Sequence, residues 1–131
     1  NNIFREVIIA PTKKLVARLR EMGVTVPIIG FPRGASAMLP EYVQETGITA
    51  VGLDTAAVPA FVNAALPAGF PVQGHLDPLL LIEGGQRLDD RVRELISAYE
   101  GRPHVFNLGH GIRPETPIAH VERVLEIIRK G

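Results

Sequence analysis

Four short apolar runs punctuate the chain: VPIIGF (26–31), ITAVGLD (48–54), FPVQGHL (70–76) and HVFNLG (104–109). None alternates apolar with polar residues, so each suits a parallel strand covered on both faces. Segments of helical period separate them. Ahead of the first run, residues 11–22 carry Leu15, Val16 and Leu19 on one side and stop at Gly23. Residues 36–46 group Leu39, Tyr42 and Val43, with Gly47 as the stop. Residues 58–66 form a short Ala-rich candidate closed by Pro67 and Gly69. Residues 89–100 place Val92, Leu95, Ile96 and Tyr99 at helical spacing, with Asp89 and Asp90 as a solvated, acidic first turn. The last helix is predicted to be capped by Thr116, with Pro117 at its first position and a stripe of Val121, Val124, Leu125 and Ile128.

The order is therefore a helix followed by four βα units. Repeated βα units with right-handed connections lead to an open doubly wound sheet or to a barrel. A complete (β/α)8 barrel takes ~250 residues, so four units in 131 residues make about half of one. No strand is followed by G-x-G-x-x-G or by a GK[ST] ending, which removes the usual dinucleotide and P-loop sites.

Composition narrows the chemistry. With no cysteine, disulfides, thiolate nucleophiles and Cys-based metal centres are excluded. Fourteen basic residues balance fourteen acidic ones without a basic tract, so nucleic acid is not an expected partner. No apolar run approaches the ~20 residues of a membrane span, and no signal-peptide pattern is present, so the expectation is a cytoplasmic protein. The opening NNIFREVIIAP lacks an initiator Met and reads as if cut from something longer.

In either α/β architecture, chemistry gathers beyond the carboxyl ends of the strands. Those positions hold Arg33, Gly34, Asp54, Thr55, Gln73, His75, Asp77 and His110. Arg33 suits either a pairing with a neighbouring acid or a bidentate grip on a substrate carboxylate. Asp54 is expected to accept N–H groups of the turn that follows it. Asp77, before Pro78, reads as a helix N-cap. His75 reads equally as a packed, hydrogen-bonded strand residue or as a ligand. A zinc shared by His75 and His110 lacks a third clear ligand. A Ser-His-Asp triad lacks its nucleophile elbow. His110, between Gly109 and Gly111, is left as either a solvated turn residue or a site residue.

Three segments together carry a resemblance. FNLGHGIRPETPIAHVERVLEIIRK resembles the C-terminal signature of the uroporphyrinogen decarboxylase family, VQGHLDP its G-N-L-D-P turn, and AVGLD the strand about twenty residues earlier. Their order and spacing match over essentially the whole chain. Two positions depart: His75 stands where Asn is commonest, and Thr55 where Trp is frequent.

The resemblance implies the C-terminal half, four βα units, of a (β/α)8 TIM barrel, treated as a single partial domain over residues 1–131. It implies a homodimer without metal or organic cofactor, acting on a tetrapyrrole whose four acetate arms lose carbon dioxide. Only the histidine of the GHG signature carries over, making His110 a substrate-binding residue, with Arg33 and Gln73 as candidate pocket lining. No catalytic residue is assigned within the chain. The flanking glycines are expected to let substrate approach. Two alternatives remain at this stage: a corrinoid-linked methyltransferase of the wider superfamily, which the absence of Cys disfavours, and a non-catalytic half-barrel interaction domain.

Overall fold

The computed structural model describes residues 2–130. Four parallel strands, β1 (Ile29–Gly30), β2 (Ala50–Gly52), β3 (Val72–Gln73) and β4 (His104–Val105), pair in sequential order. A bridge between Leu76 and Leu108 extends the last pair. The paired segments are much shorter than the apolar runs that announced them.

Helical residues begin at α1 (Asn2–Phe4), pass through a π-register segment (Arg5–Ile9) and continue as α2 (Ala10–Glu21). The start expected at Pro11 is thus too late. Proline lacks an N–H and its ring crowds the preceding turn, so it reads as a helix start in sequence. Here the wider π turn lies directly before it, and the Ala10 N–H bonds the Arg5 carbonyl.

Between strands lie α3 (Leu39–Thr46), entered through a 3-10 turn at Ser36–Met38, then α4 (Pro59–Ala65), α5 (Pro78–Glu83) and α6 (Gly85–Ala98), with α7 (Ile118–Lys130) last. The Asp77 carboxylate accepts the Leu79 N–H at 2.8 Å and caps α5, as its position before Pro78 foretold. Thr116 does not cap α7, because its buried hydroxyl has no hydrogen-bond partner. Instead the His120 N–H reaches the Pro117 carbonyl at 3.1 Å, and the His120 ring donates from Nδ1 to the Leu81 carbonyl at 2.8 Å.

Helix α6 begins four residues before its expected start, which puts Asp89 and Asp90 in its second turn. Asp90 is exposed and bonds Gln86, as a solvated carboxylate would. Asp89 is not solvated. It is buried against α7, where Arg123 grips both carboxylate oxygens at 2.5–3.1 Å. The Arg123 guanidinium holds the Asp89 carboxyl below its ordinary range, against the opposing effect of burial.

Sequential strand order with right-handed crossovers places successive helices on the same side of the sheet, as in a barrel wall; a doubly wound sheet requires a reversal of order. Burial agrees. Gly30, Val51 and Val72 lie in register and are buried on the helix side. Leu88, Val92 and Leu95 of α6 add fully buried surface to that core, each side chain contributing about 1.5–3 kcal/mol. On the other face Ile29 is 46% and Val105 53% exposed. Coverage on both faces, expected from the unbroken apolar runs, is therefore not met by the described residues: one face packs on helices and the other is open. None of their helices is long and apolar enough to cross a membrane.

Candidate functional site at the strand ends

The open face deepens into a cavity of about 430 Å³ at the carboxyl ends of the strands. Phe31 after β1, Leu53 after β2, Gln73 on β3, and Asn107, His110 and Ile112 after β4 contribute to its wall. The structure therefore brings Gln73 and His110 together, although 37 residues separate them in sequence. Neither side chain makes a hydrogen bond or ion pair with other described residues, and both are half-buried. A polar group held at a cavity wall without an internal partner is free to serve a ligand.

The geometry around His110 explains one glycine of its signature and not the other. A Cβ on Gly109 would lie 2.5 Å from the Thr55 nitrogen and 2.6 Å from its methyl group. Gly109 is thus required for close packing of this turn on the end of β2, and substrate approach is not its steric reason. Its N–H also bonds the Leu76 carbonyl at 2.8 Å, fixing the turn to β3. Gly111 has open space around it and no positive φ, so the fold makes no steric demand there.

The other strand-end residues separate by role. Asp54 accepts the Ala56 N–H at 3.0 Å, as expected of a turn residue, and also the Gly34 N–H at 2.5 Å. It thereby ties the loop after β1 to the end of β2. Arg33 sits on that loop, exposed, pairs with no acid among the described residues, and is not part of the cavity wall.

His75 lies on the helix side of the sheet. It is 1% exposed, and its Nε2 is 2.8 Å from the Tyr99 hydroxyl. Burial, with help from the nearby positive charge of Arg91, lowers its pKa to about 4. His75 and His110 therefore face different surroundings, and no three His, Asp or Glu side chains among the described residues gather as metal ligands. Burial likewise raises the Tyr99 phenol to about 12.

Phe31, Asn107 and Ile112 were not singled out from sequence. Phe31 and Asn107 stand within or at the end of apolar runs, so strand-end position was the available signal. A groove of similar size, about 420 Å³, lies between α6 and α7, where Arg93, Arg123 and Lys130 alternate with Glu100 and Glu126. None of the strand-end residues named above lines it, and its charges largely answer one another.

A sequentially ordered parallel sheet, helices on one side and a polar-walled cavity at the carboxyl strand ends define a partial (β/α)8 barrel with its site in the usual place for that class. Comparison with known proteins is more specific. The sequence profile described as Uroporphyrinogen decarboxylase (URO-D) matches residues 1–131, and the chain belongs to that family. It is 82% identical over its full length to a uroporphyrinogen decarboxylase of Hyphomonas neptunium, covering 38% of that protein. It is 54% identical over 127 residues to the one from Maricaulis maris and 56% over 126 residues to the one from Rhizorhabdus wittichii, covering 37% of each. The chain spans well under half the length of these relatives.

Proposed function

We propose that the chain is the C-terminal part of a uroporphyrinogen decarboxylase, and that the strand-end cavity holds one carboxylate-bearing edge of the tetrapyrrole. The observation that carries this reading is the convergence of Gln73 and His110, both without partners among the described residues, on one cavity of a chain from this family. An imidazole N–H of His110 donates to a substrate carboxylate, and the Gln73 amide offers a second donor. Phe31 and Ile112 supply an apolar wall for a pyrrole face. Arg33, two residues after Phe31 and without an acidic partner among the described residues, is available to a further carboxylate at the rim.

The substrate acts as its own electron sink. Protonation of a pyrrole carbon makes the ring electron-poor. The bond between the acetate methylene and its carboxylate then breaks, its electron pair enters the ring, and carbon dioxide leaves. A proton added to the exocyclic methylene gives the methyl group, and loss of the first proton from the pyrrole carbon restores the aromatic ring. For each arm the balance is one carboxylate and one proton consumed, one methyl and one carbon dioxide formed. The contribution of this chain is position and electrostatics: it orients the arms and excludes water from one side.

In this reading the whole protein is a cytoplasmic homodimer of tetrapyrrole and haem synthesis. The test is anaerobic incubation of the full-length protein with uroporphyrinogen III, followed by separation of the products. Stepwise conversion to coproporphyrinogen III is expected. Unchanged substrate with folded protein would overturn the reading. The 131-residue chain alone is expected to be inactive, since it supplies only four strand ends of the site.

A further inference from the structure

We propose that His75, Tyr99 and His104 form a clamp on the helix side of the sheet that positions Gln73 and His110 in the strand-end cavity. The clamp is a positioning device and touches no substrate; it rests on the reading that this cavity is the substrate site.

The connection is short at every step. The Tyr99 hydroxyl at the end of α6 lies 2.8 Å from His75 Nε2, and both residues are at most 1% exposed. The Tyr99 ring packs against His104, with centroids 4.7 Å apart. His104 Nε2 lies 2.6 Å from the Gly74 carbonyl, which only accepts, so this nitrogen carries the proton and donates. Residues 74 and 75 are thus gripped by side chains from the helix side.

The main chain grips the same segment from within the sheet. The Gly74 N–H bonds the Val105 carbonyl at 3.0 Å, the Leu76 N–H bonds the Asn107 carbonyl at 3.0 Å, and the Leu76 carbonyl receives the Gly109 N–H at 2.8 Å. Gln73 precedes this knot by one residue, and His110 follows Gly109 by one. Gly74 packs closely on the end of β2, where only a glycine fits, since an added Cβ would stand 2.6 Å from the Leu53 carbonyl oxygen. A displacement of 74–76 is therefore passed to both cavity residues at once.

Charge acts in the same direction as geometry. The groups acting on His75 are Arg91 of α6, His104 of β4 and Asp54 after β2, while Arg91 and Arg102 act on Tyr99. Arg91 and His104 disfavour a second positive charge at His75, and Asp54 opposes them only in part. The clamp therefore holds neutral imidazoles at neutral pH.

The experiment follows the histidine Cε1–H resonances of the full-length protein, labelled at that carbon and assigned by substitution. Tyr99→Phe removes one hydroxyl and keeps the ring. His104→Leu removes the donor to Gly74, and His104→Gln restores an N–H of similar reach. Tyr99→Phe and His104→Leu are expected to displace the His110 resonance beyond its linewidth and to lower kcat/KM severalfold. His104→Gln is expected to return both toward native.

A native His110 resonance in Tyr99→Phe would overturn the clamp. Equal disturbance by His104→Leu and His104→Gln would also overturn it, because packing alone would then account for His104. If His104→Leu does not fold, Tyr99→Phe decides. The resonance needs no substrate, so a protein that fails to decarboxylate leaves the clamp standing, and an active one with an unmoved His110 does not.

Discussion

Replacing Gly109 with alanine tests whether the turn bearing His110 is seated as described. The added Cβ would stand 2.5 Å from the Thr55 nitrogen, about 0.9 Å short of the 3.4 Å at which ordinary contact begins. The obstructing atom is backbone, so no flexible side-chain tip can yield, and the turn must lift. Overpacking of this kind costs about 1–3 kcal/mol. Lifting the turn also strains the Gly109 N–H bond to Leu76, worth about 1 kcal/mol. Each kcal/mol lowers the melting temperature by roughly 2–4 °C in a protein of moderate size. Gly111→Ala is the control, because its Cβ meets nothing within 4 Å and its φ is not positive. It is expected to leave stability unchanged or raised by up to about 1 kcal/mol. Calorimetry of the full-length variants, paired with decarboxylation kinetics, separates the two glycines. Gly109→Ala should lose stability and turnover together, and Gly111→Ala should change turnover alone if substrate passes close to it. A Gly109→Ala protein that melts with the native one would refute the close seating on β2.

Asp89→Asn is expected to lower the melting temperature at neutral pH by weakening the α6–α7 contact. The folded-state pKa of Asp89 is depressed, so its stabilisation is present above the ordinary carboxyl range and fades as pH falls through the folded value; thermal melts of both proteins should converge in acid. For His75, buried and neutral, the unfolded chain takes up a proton near 6.5 and the folded one only near 4, so stability should decline as pH falls between those values. His75→Asn should flatten that limb in a pH series of denaturant titrations, and an unaltered acid limb would exclude His75 as its source. The 131-residue chain produced alone exposes Ile29, Phe31 and Val105 on its open face and two unpaired strand edges; it is expected to associate or lose cooperative packing, and a compact monomer at high concentration in sedimentation would contradict this.

The strands were legible because buried parallel strands leave unbroken apolar runs, and their order followed from the regular helical segments between them. Their short pairing was not legible. The runs extend past the last ladder bond because they also line the cavity and the open face. Asp77 and Asp54 were readable because their partners are two residues away. Asp89 was not: its partner Arg123 lies 34 residues on, and an acidic pair near a helix start looks like solvated surface whatever packs against it. Thr116 shows the reverse failure, a good local cap signal overruled by the way the His120 ring anchors α7 to α5. The site was legible as a set of strand-end residues. Which face each one joins depends on the direction of a single side chain, and sequence alone left that undecided for His75.

The account stands most directly on His110→Leu in the full-length protein, measured as steady-state decarboxylation of uroporphyrinogen III with each intermediate quantified and a melting curve recorded alongside. Loss of a charge-assisted hydrogen bond costs ~1.5–3 kcal/mol, so kcat/KM is expected to fall roughly ten- to a hundredfold. The melting temperature is expected to stay native, because His110 makes no hydrogen bond with the described residues. Native kinetics at every decarboxylation step would contradict the account and return His110 to the role of a turn residue.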